Sequence, residues 1–362
     1  MDRGGNVAYS WPFDLEGLFG NAKAKGFSGD VRLQNFFPIG LQLLDDGTLL
    51  ATFHSRNIYP YTVGIAHIGR KGEILWKQLD YSHHWFRVAQ DGMIYSPVQF
   101  QVKDLKVFPG TKIKAECDLP VYLDGIRVRR PDGTVVRTIS ILDALVKSGY
   151  RGLVYGTRDG CDPTHLNSID IVTPDIATKI PGVAPGDLLV SIREFSAVAI
   201  LDSVDGHVKK LVSGQTSAQH SAYFLPDGRV VVFDNRGASP ETGGTRIAVI
   251  DFNSGETQTV FPRENGKALL PFYTSMAGHV VPSPDSKRLM VTDSDSDRPR
   301  YFEIDLETGK PLWMMTEAHD IAPFMTDEAN PKPIKMKFNP YGAYYLSPIQ
   351  AQSLGLDTYL QQ

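Results

Sequence analysis

Tyr223-Phe-Leu-Pro-Asp-Gly228-Arg-Val-Val-Val is the stretch on which the fold turns. Two apolar runs joined through Asp-Gly read as a β-hairpin, since the glycine is free to take the positive φ that a tight turn demands. The same unit occurs as Leu41-Gln-Leu-Leu-Asp-Asp-Gly47-Thr-Leu-Leu and Phe86-Arg-Val-Ala-Gln-Asp-Gly92-Met-Ile-Tyr. A looser copy is Val281-Pro-Ser-Pro-Asp-Ser286-Lys-Arg-Leu-Met. Further turns follow at Gly72, Gly133, Gly206, Gly255 and Gly309. Two hairpins per unit make a four-stranded antiparallel sheet. Five units are complete, and a sixth inner hairpin is expected at Phe338-Asn-Pro-Tyr-Gly342-Ala-Tyr-Tyr, completed by a strand from Val7-Ala-Tyr-Ser-Trp11. Such repetition predicts an all-β, six-bladed β-propeller of four-stranded antiparallel blades. It would span 1–362 as one domain, its last blade closed by N- and C-terminal strands. Two β-sandwich domains are the competing architecture, but no linker divides the chain. One helix is expected at Ile141-Leu-Asp-Ala-Leu-Val-Lys147, stopped by Ser148-Gly149, and rim insertions near 140–160 and 172–185.

The bulk composition is that of a globular chain. Of 362 residues, 42% are hydrophobic and 22% charged, enough apolar matter for a substantial core. The 37 basic and 41 acidic residues leave a net charge of −4, with no basic run to suggest nucleic acid as a partner. No apolar run is long enough to span a membrane, and no signal peptide is visible. Cys117 and Cys161 permit one disulfide without requiring it.

Histidine placement carries the functional reading. Innermost propeller strands all run the same way along the central channel, so equal distance from the turn means similar depth. His84 lies eight residues before Gly92, His220 eight before Gly228, and His279 seven before Ser286. His165 opens the intervening inner strand, whose turn is delayed by the insertion ending at Pro185-Gly186. Four imidazoles are therefore expected at one mouth, with Ile39 and Ile334 at the equivalent places in the first and last blades. His54, His67, His207 and His319 fall outside this register and read as surface residues. Trp76, Trp85 and Trp313 read as packing residues. Asp293-Ser-Asp-Ser-Asp297 lacks the glycine and terminal glutamate of an EF-hand and reads as a solvated acidic loop.

Several chemistries suit such a ring. Neutral imidazoles bind transition metals, but a metal site wants each ring oriented by a carboxylate or carbonyl, and the sequence identifies none. Arg193 would also repel a dication, so no metal is expected. Arg193 and Asn167 with several histidines better suit an anion with three equivalent oxygens. Histidine can also act as a nucleophile through a covalent intermediate. Walker and Rossmann glycine loops are absent, so no nucleotide cofactor is expected. A ligand-binding propeller without turnover and a metal-dependent enzyme on the same histidines stay open as alternatives.

Three segments in order resemble the arylsulfate sulfotransferase family. They are Asp162-Pro-Thr-His165-Leu-Asn167-Ser-Ile, Leu189-Val-Ser-Ile-Arg193-Glu-Phe-Ser-Ala-Val, and Gln219-His220-Ser-Ala-Tyr-Phe-Leu-Pro-Asp-Gly through Asn235. The resemblance implies a six-bladed propeller that moves a sulfuryl group from an aryl sulfate to a phenol without a nucleotide donor. It implies that His220 becomes transiently sulfated, that His165, Asn167 and Arg193 hold the sulfuryl and bridging oxygens, and that His84 joins them. His83 and His279 are assigned to substrate binding. Members are mostly exported bacterial proteins, which implies a periplasmic or secreted location; without the resemblance the reading is cytoplasmic. The better-known members carry an additional N-terminal β domain for which this chain has no room.

Overall fold

The computed structural model describes residues 7–29, 31–56, 58–59, 61–102, 121–157, 160–294, 299–316, 326–327, 330–333 and 342–357. Each Asp-Gly turn closes the hairpin that its sequence demands. In Tyr223–Val232 the Leu225 amide donates to the Arg229 carbonyl (2.7 Å) and the Gly228 amide to the Leu225 carbonyl (2.9 Å), with Gly228 at φ 89°. Five four-stranded antiparallel sheets result. Blade 1 comprises Phe36–Leu43, Leu49–Ser55, Thr62–Ile68 and Ile74–Gln78. Blade 2 comprises Arg87–Val88, Ile94–Val102, Val121–Arg129 and Val135–Ser140. Blade 3 is Leu166–Ile171, Leu188–Ile192, Ala197–Leu201 and Val208–Ser213. Blade 4 is His220–Phe224, Val230–Asp234, Arg246–Ile250 and Thr257–Phe261, and blade 5 is His279–Pro282, Arg288–Asp293, Arg300–Asp305 and Pro311–Thr316.

The chain is thus an all-β propeller of four-stranded antiparallel blades, with five blades among the described residues rather than six. Of the expected sixth hairpin, Phe338–Tyr341 lies outside the described residues, and no strand forms from Gly342 to Tyr345. The segment Val7–Trp11 forms no strand either. Its side chains have a competing use: Tyr9 and Trp11 pack with Leu43, Ala351, Leu354 and Leu356, joining the C-terminal helix Pro348–Ser353 to blade 1.

Middle strands read as unbroken apolar runs because both their faces are covered by neighbouring blades. Leu188–Ile192, Ala197–Leu201 and Val230–Asp234 are buried at every residue, whereas the outer strand Pro311–Thr316 alternates half-buried and exposed. Phe233, Phe261, Phe272 and Phe302 fill the space between blades 4 and 5. The helix Ile141–Lys147, capped by Ser140, packs between blades 2 and 3. Val172, Ile176 and Ile180 of the delayed blade 3 hairpin pack against blades 3 and 4. No helix among the described residues is long and apolar enough to cross a membrane. Cys161 is disulfide-bonded, while Cys117 lies outside the described residues.

Inner strands are edge strands whose free amides need partners. Here the neighbouring inner strand supplies them. Ser168 Oγ accepts from the Ala222 amide (2.9 Å), Asp170 Oδ2 from the Phe224 amide (3.0 Å), and Ser221 Oγ from the Val280 amide (3.0 Å). Trp85 and Ser168 form a parallel bridge. This stitching holds blades 2 to 5 in register around the axis.

Blade 5 departs from the pattern at its turn. Ser286 stands in the left-handed region (φ 52°) where blades 1, 2 and 4 place Gly47, Gly92 and Gly228. A side chain there costs about 1 kcal/mol. Ser286→Gly is therefore expected to raise stability by about 1 kcal/mol in urea denaturation, and a loss of stability would contradict this account of the turn.

Candidate functional site

The inner strands deliver three imidazoles to one place. Ring centroids of His84 and His165 lie 5.2 Å apart, those of His165 and His220 6.2 Å, and those of His84 and His220 6.3 Å. All three rings are buried. The backbone bends to achieve this: His84 (φ 49°) and His165 (φ 51°) are left-handed, as are Ala218 and Ser221 around His220. Such conformations cost about 1–3 kcal/mol each and persist only where the surroundings impose them. For His84 the fit is visible, since a side-chain carbon on Gly40 would fall 2.1 Å from its carbonyl oxygen, which accepts from Thr52 Oγ1 (2.6 Å).

In each ring Nδ1 is already engaged. His220 Nδ1 lies 2.8 Å from Asn235 Oδ1 and 3.1 Å from the Ala218 carbonyl. The Asn235 amide cannot be reversed, because its Nδ2 donates to the carbonyls of Thr274 (2.9 Å) and Ala277 (2.8 Å). Two acceptors at Nδ1 fix the proton there and leave Nε2 with a bare lone pair. His165 Nδ1 bonds to Asp162 Oδ2, which also accepts from Tyr61 OH (2.8 Å), while Asp162 Oδ1 accepts from Gln99 (3.1 Å). His84 Nδ1 faces His83 Nδ1 at 2.7 Å. His83 Nε2 in turn lies 3.2 Å from Asp124 Oδ1, a charge contact without hydrogen-bond alignment. A carboxylate oxygen there favours a proton on His83 Nε2, so that His84 donates at Nδ1. In their neutral forms the three rings thus turn three acceptor nitrogens toward one another.

The remaining sequence candidates sit differently. Arg193 lowers the proton affinity of His220 by its charge, yet its Nε (2.6 Å) and Nη2 both donate to Glu194 Oε1, leaving Nη1 without a hydrogen bond among the described residues. Asn167 donates from Nδ2 to the Gln219 carbonyl (2.9 Å), and its Oδ1 is buried without a partner among the described residues. His279 does not join the three. Its ring stacks on Trp85 (4.8 Å, 28°) and its Nε2 meets Tyr223 OH at 3.0 Å.

Trp85 is a buried packing residue, and its ring also faces His220 (6.2 Å), with Nε1 lacking a partner among the described residues. Two other residues differ from the sequence reading. His54 is not a surface residue. It is buried 4.7 Å from the His84 ring, because it ends the second strand of blade 1 at the level where the other blades start their first. Asp293 is no part of a solvated loop; it is buried and accepts from Arg300 Nε (3.0 Å) and Thr274 Oγ1, while Asp295 and Asp297 lie outside the described residues. His67 is half-buried against Thr48 and His207 is exposed, while His319 lies outside the described residues. Asn235 and Tyr61 had no sequence signal beyond Asn235 closing the third quoted segment.

Burial sets the charge of the cluster. It holds His54 and His84 well below the usual histidine range of 6.5, helped by the neighbouring imidazoles, and does the same to His220, helped by Arg193 and opposed by Asn235. His279 falls to about 3, again mainly through burial. Burial works to raise Asp162, but His165, Tyr61 and Arg193 bring it down to about 2. Depressed histidines bind protons only after unfolding, so their stabilising effect is complete above about pH 6.5 and is lost as pH falls below it. Unfolding free energy is expected to drop between about pH 6.5 and pH 5, by up to about 1.4 kcal/mol per pH unit for each such histidine. His220→Asn should flatten the slope by one such share; an unfolding free energy flat over that range would contradict it.

The chain can now be set beside known proteins. A family model described as arylsulfotransferase (ASST) matches residues 40–317, from within the first strand of blade 1 to the end of blade 5. No curated protein sequence matches the chain. Similar solved structures include a protein of unknown function from Bacteroides caccae, at 13% identity and TM-score 0.49, covering 78% of this chain and 83% of that one. Another is virginiamycin B lyase from Staphylococcus aureus, at 11% identity and TM-score 0.45, covering 82% of this chain and 75% of that one. Likeness at that level carries no statement about function. With its family model spanning most of its length, the chain belongs to the arylsulfotransferase family.

Proposed function

We propose that this protein transfers a sulfuryl group from an aryl sulfate ester to a phenol, without a nucleotide donor, through a sulfohistidine at His220. The observation that carries the reading is the clamp on His220 Nδ1 by Asn235 Oδ1 (2.8 Å), which leaves Nε2 as an unprotonated nucleophile in a buried cluster. Family membership supports the reaction class.

His220 Nε2 attacks sulfur, the bond between sulfur and the aryl oxygen breaks, and the phenolate departs with the electron pair. In its doubly protonated form, with Asp162 holding the Nδ1 proton, His165 gives that oxygen its second proton from Nε2 and becomes neutral. The second half reverses the order: His165 takes the proton of the incoming phenol, whose oxygen attacks sulfur and frees His220. Arg193 Nη1 and the second amide hydrogen of Asn167 are the donors left for the sulfuryl oxygens, an electrostatic stabilisation of charge that develops during transfer. Asn167 Oδ1, buried and unpartnered, suits the hydroxyl of a phenol. His84 contributes by lining the same space; His83 acts on it through the Nδ1 contact. His279 is proposed to act on substrate only by way of Trp85. A periplasmic or secreted location is proposed as well, since the disulfide at Cys161 is at home in an oxidising compartment.

Incubation with a chromogenic aryl sulfate should give a protein carrying one added sulfuryl group by intact mass, with ping-pong kinetics. His220→Asn should abolish both the adduct and turnover. His165→Asn should slow transfer from poor leaving groups by about 10²–10⁴-fold and from electron-poor phenols by less. No adduct on the wild type, together with unchanged turnover in His220→Asn, would refute the proposal.

A further inference from the structure

The three converging nitrogens have a second use. His84, His165 and His220 each offer a ligand atom, and these atoms lie within 4.8 Å of one another. In all three rings Nδ1 is tied to another group, Asn235 Oδ1 for His220, Asp162 Oδ2 for His165 and His83 Nδ1 for His84, which leaves Nε2 as the free nitrogen of each ring. Carbonyl oxygens behind His220 and a carboxylate behind His165 are the outer groups that orient metal-binding histidines, and His83 ties the third ring. We propose that His84, His165 and His220 bind one divalent transition-metal ion of the zinc class through Nε2, with a fourth position left for water or a substrate oxygen.

Two points favour this assignment. Arg193 does not confront the metal as a bare cation, because Glu194 takes its Nε and Nη2. With neutral imidazoles, Asp162, Arg193 and Glu194 together leave one negative charge beside the ligands. The neighbouring group His54, His83 and His84 also has ligand atoms within 4.8 Å of one another. It is the poorer site, since His83 and His84 spend their Nδ1 atoms on each other at 2.7 Å. Zinc bound to imidazoles at 2.0–2.1 Å holds its nitrogens about 3.3 Å apart, so the three must close by up to about 1.5 Å. That movement belongs to side chains and leaves the blades in place. A donor set of three imidazoles without a carboxylate disfavours magnesium. Because the metal would occupy the nitrogen that the proposed transfer uses, the metal-loaded protein cannot be sulfated at His220.

The test uses the full chain after treatment with a chelator. Titration with Zn²⁺ by calorimetry should give one ion per chain. Co²⁺ should give the strong visible absorption of a tetrahedral site that Zn²⁺ abolishes, while Mg²⁺ gives no heat. Asn235→Leu should weaken Zn²⁺ binding about 10–100-fold and His220→Asn by more, whereas His67→Asn should leave it unchanged. Zn²⁺ should also raise the unfolding midpoint of the wild type, a reading that needs no variant. The proposal is overturned by a midpoint that Zn²⁺ leaves unmoved, by one-to-one binding that survives His220→Asn, or by binding lost in His54→Ala and kept in His220→Asn. Sulfation of His220 is assayed separately in chelator. Zn²⁺ binding without any adduct would uphold the metal site and sink the transfer reading, and an adduct without Zn²⁺ binding would do the reverse.

Discussion

One amide holds the site together. Asn235 ends the second strand region of blade 4, and its Nδ2 is taken by the carbonyls of Thr274 and Ala277 on the way into blade 5. Only Oδ1 is then left for His220, and an oxygen can do nothing there but accept. Two blades thereby fix the tautomer of an imidazole that a third and a fourth approach from the opposite side. Burial keeps that imidazole neutral, so what faces its neighbours is a lone pair. Three such lone pairs repel one another in the absence of an electrophile. A sulfuryl sulfur, a proton or a metal ion relieves that repulsion, and this common requirement links the two proposals.

The propeller makes the convergence possible by solving a different problem. Inner strands have unpaired edges, and side chains of adjacent inner strands satisfy them: Ser168 for Ala222, Asp170 for Phe224, Ser221 for Val280. Those bonds fix the relative heights of the blades and so the heights of the residues that start each inner strand. His84 and His165 then reach inward through left-handed backbone that only this context supports. Energy stored in the backbone of the site is offset by burial in the blades behind it.

Much of this was written in the sequence. Asp-Gly turns such as Gly47, Gly92 and Gly228 mark hairpins because glycine alone takes their φ without cost, and they gave the four-stranded blades directly. Counting from those turns puts His84 and His220 at one level, and His165 joins them as the residue that opens the inner strand between. The same counting failed for His279, because register fixes height along the channel and says nothing of what lies across it, where Trp85 intervenes. It missed His54, which arrives from the end of a second strand rather than the start of a first. It also expects a sixth blade that the described residues do not form: Tyr9 and Trp11 look like strand residues, but they are drawn to the apolar C-terminal helix instead. Of the orienting partners, Asp162 lies three residues before His165, inside the first quoted segment, whereas Asn235 and Asp124 reach His220 and His83 from farther along the chain, where no local pattern announces the contact.

The central claim is that His220 presents a bare Nε2. The direct measurement is nitrogen NMR of the histidine rings in isotope-labelled protein, with His220→Asn supplying the assignment. The account predicts a proton on Nδ1 and none on Nε2 at about pH 7, unchanged down to about pH 5.5. A proton found on Nε2 of the resting protein, or an imidazolium near pH 7, would contradict it.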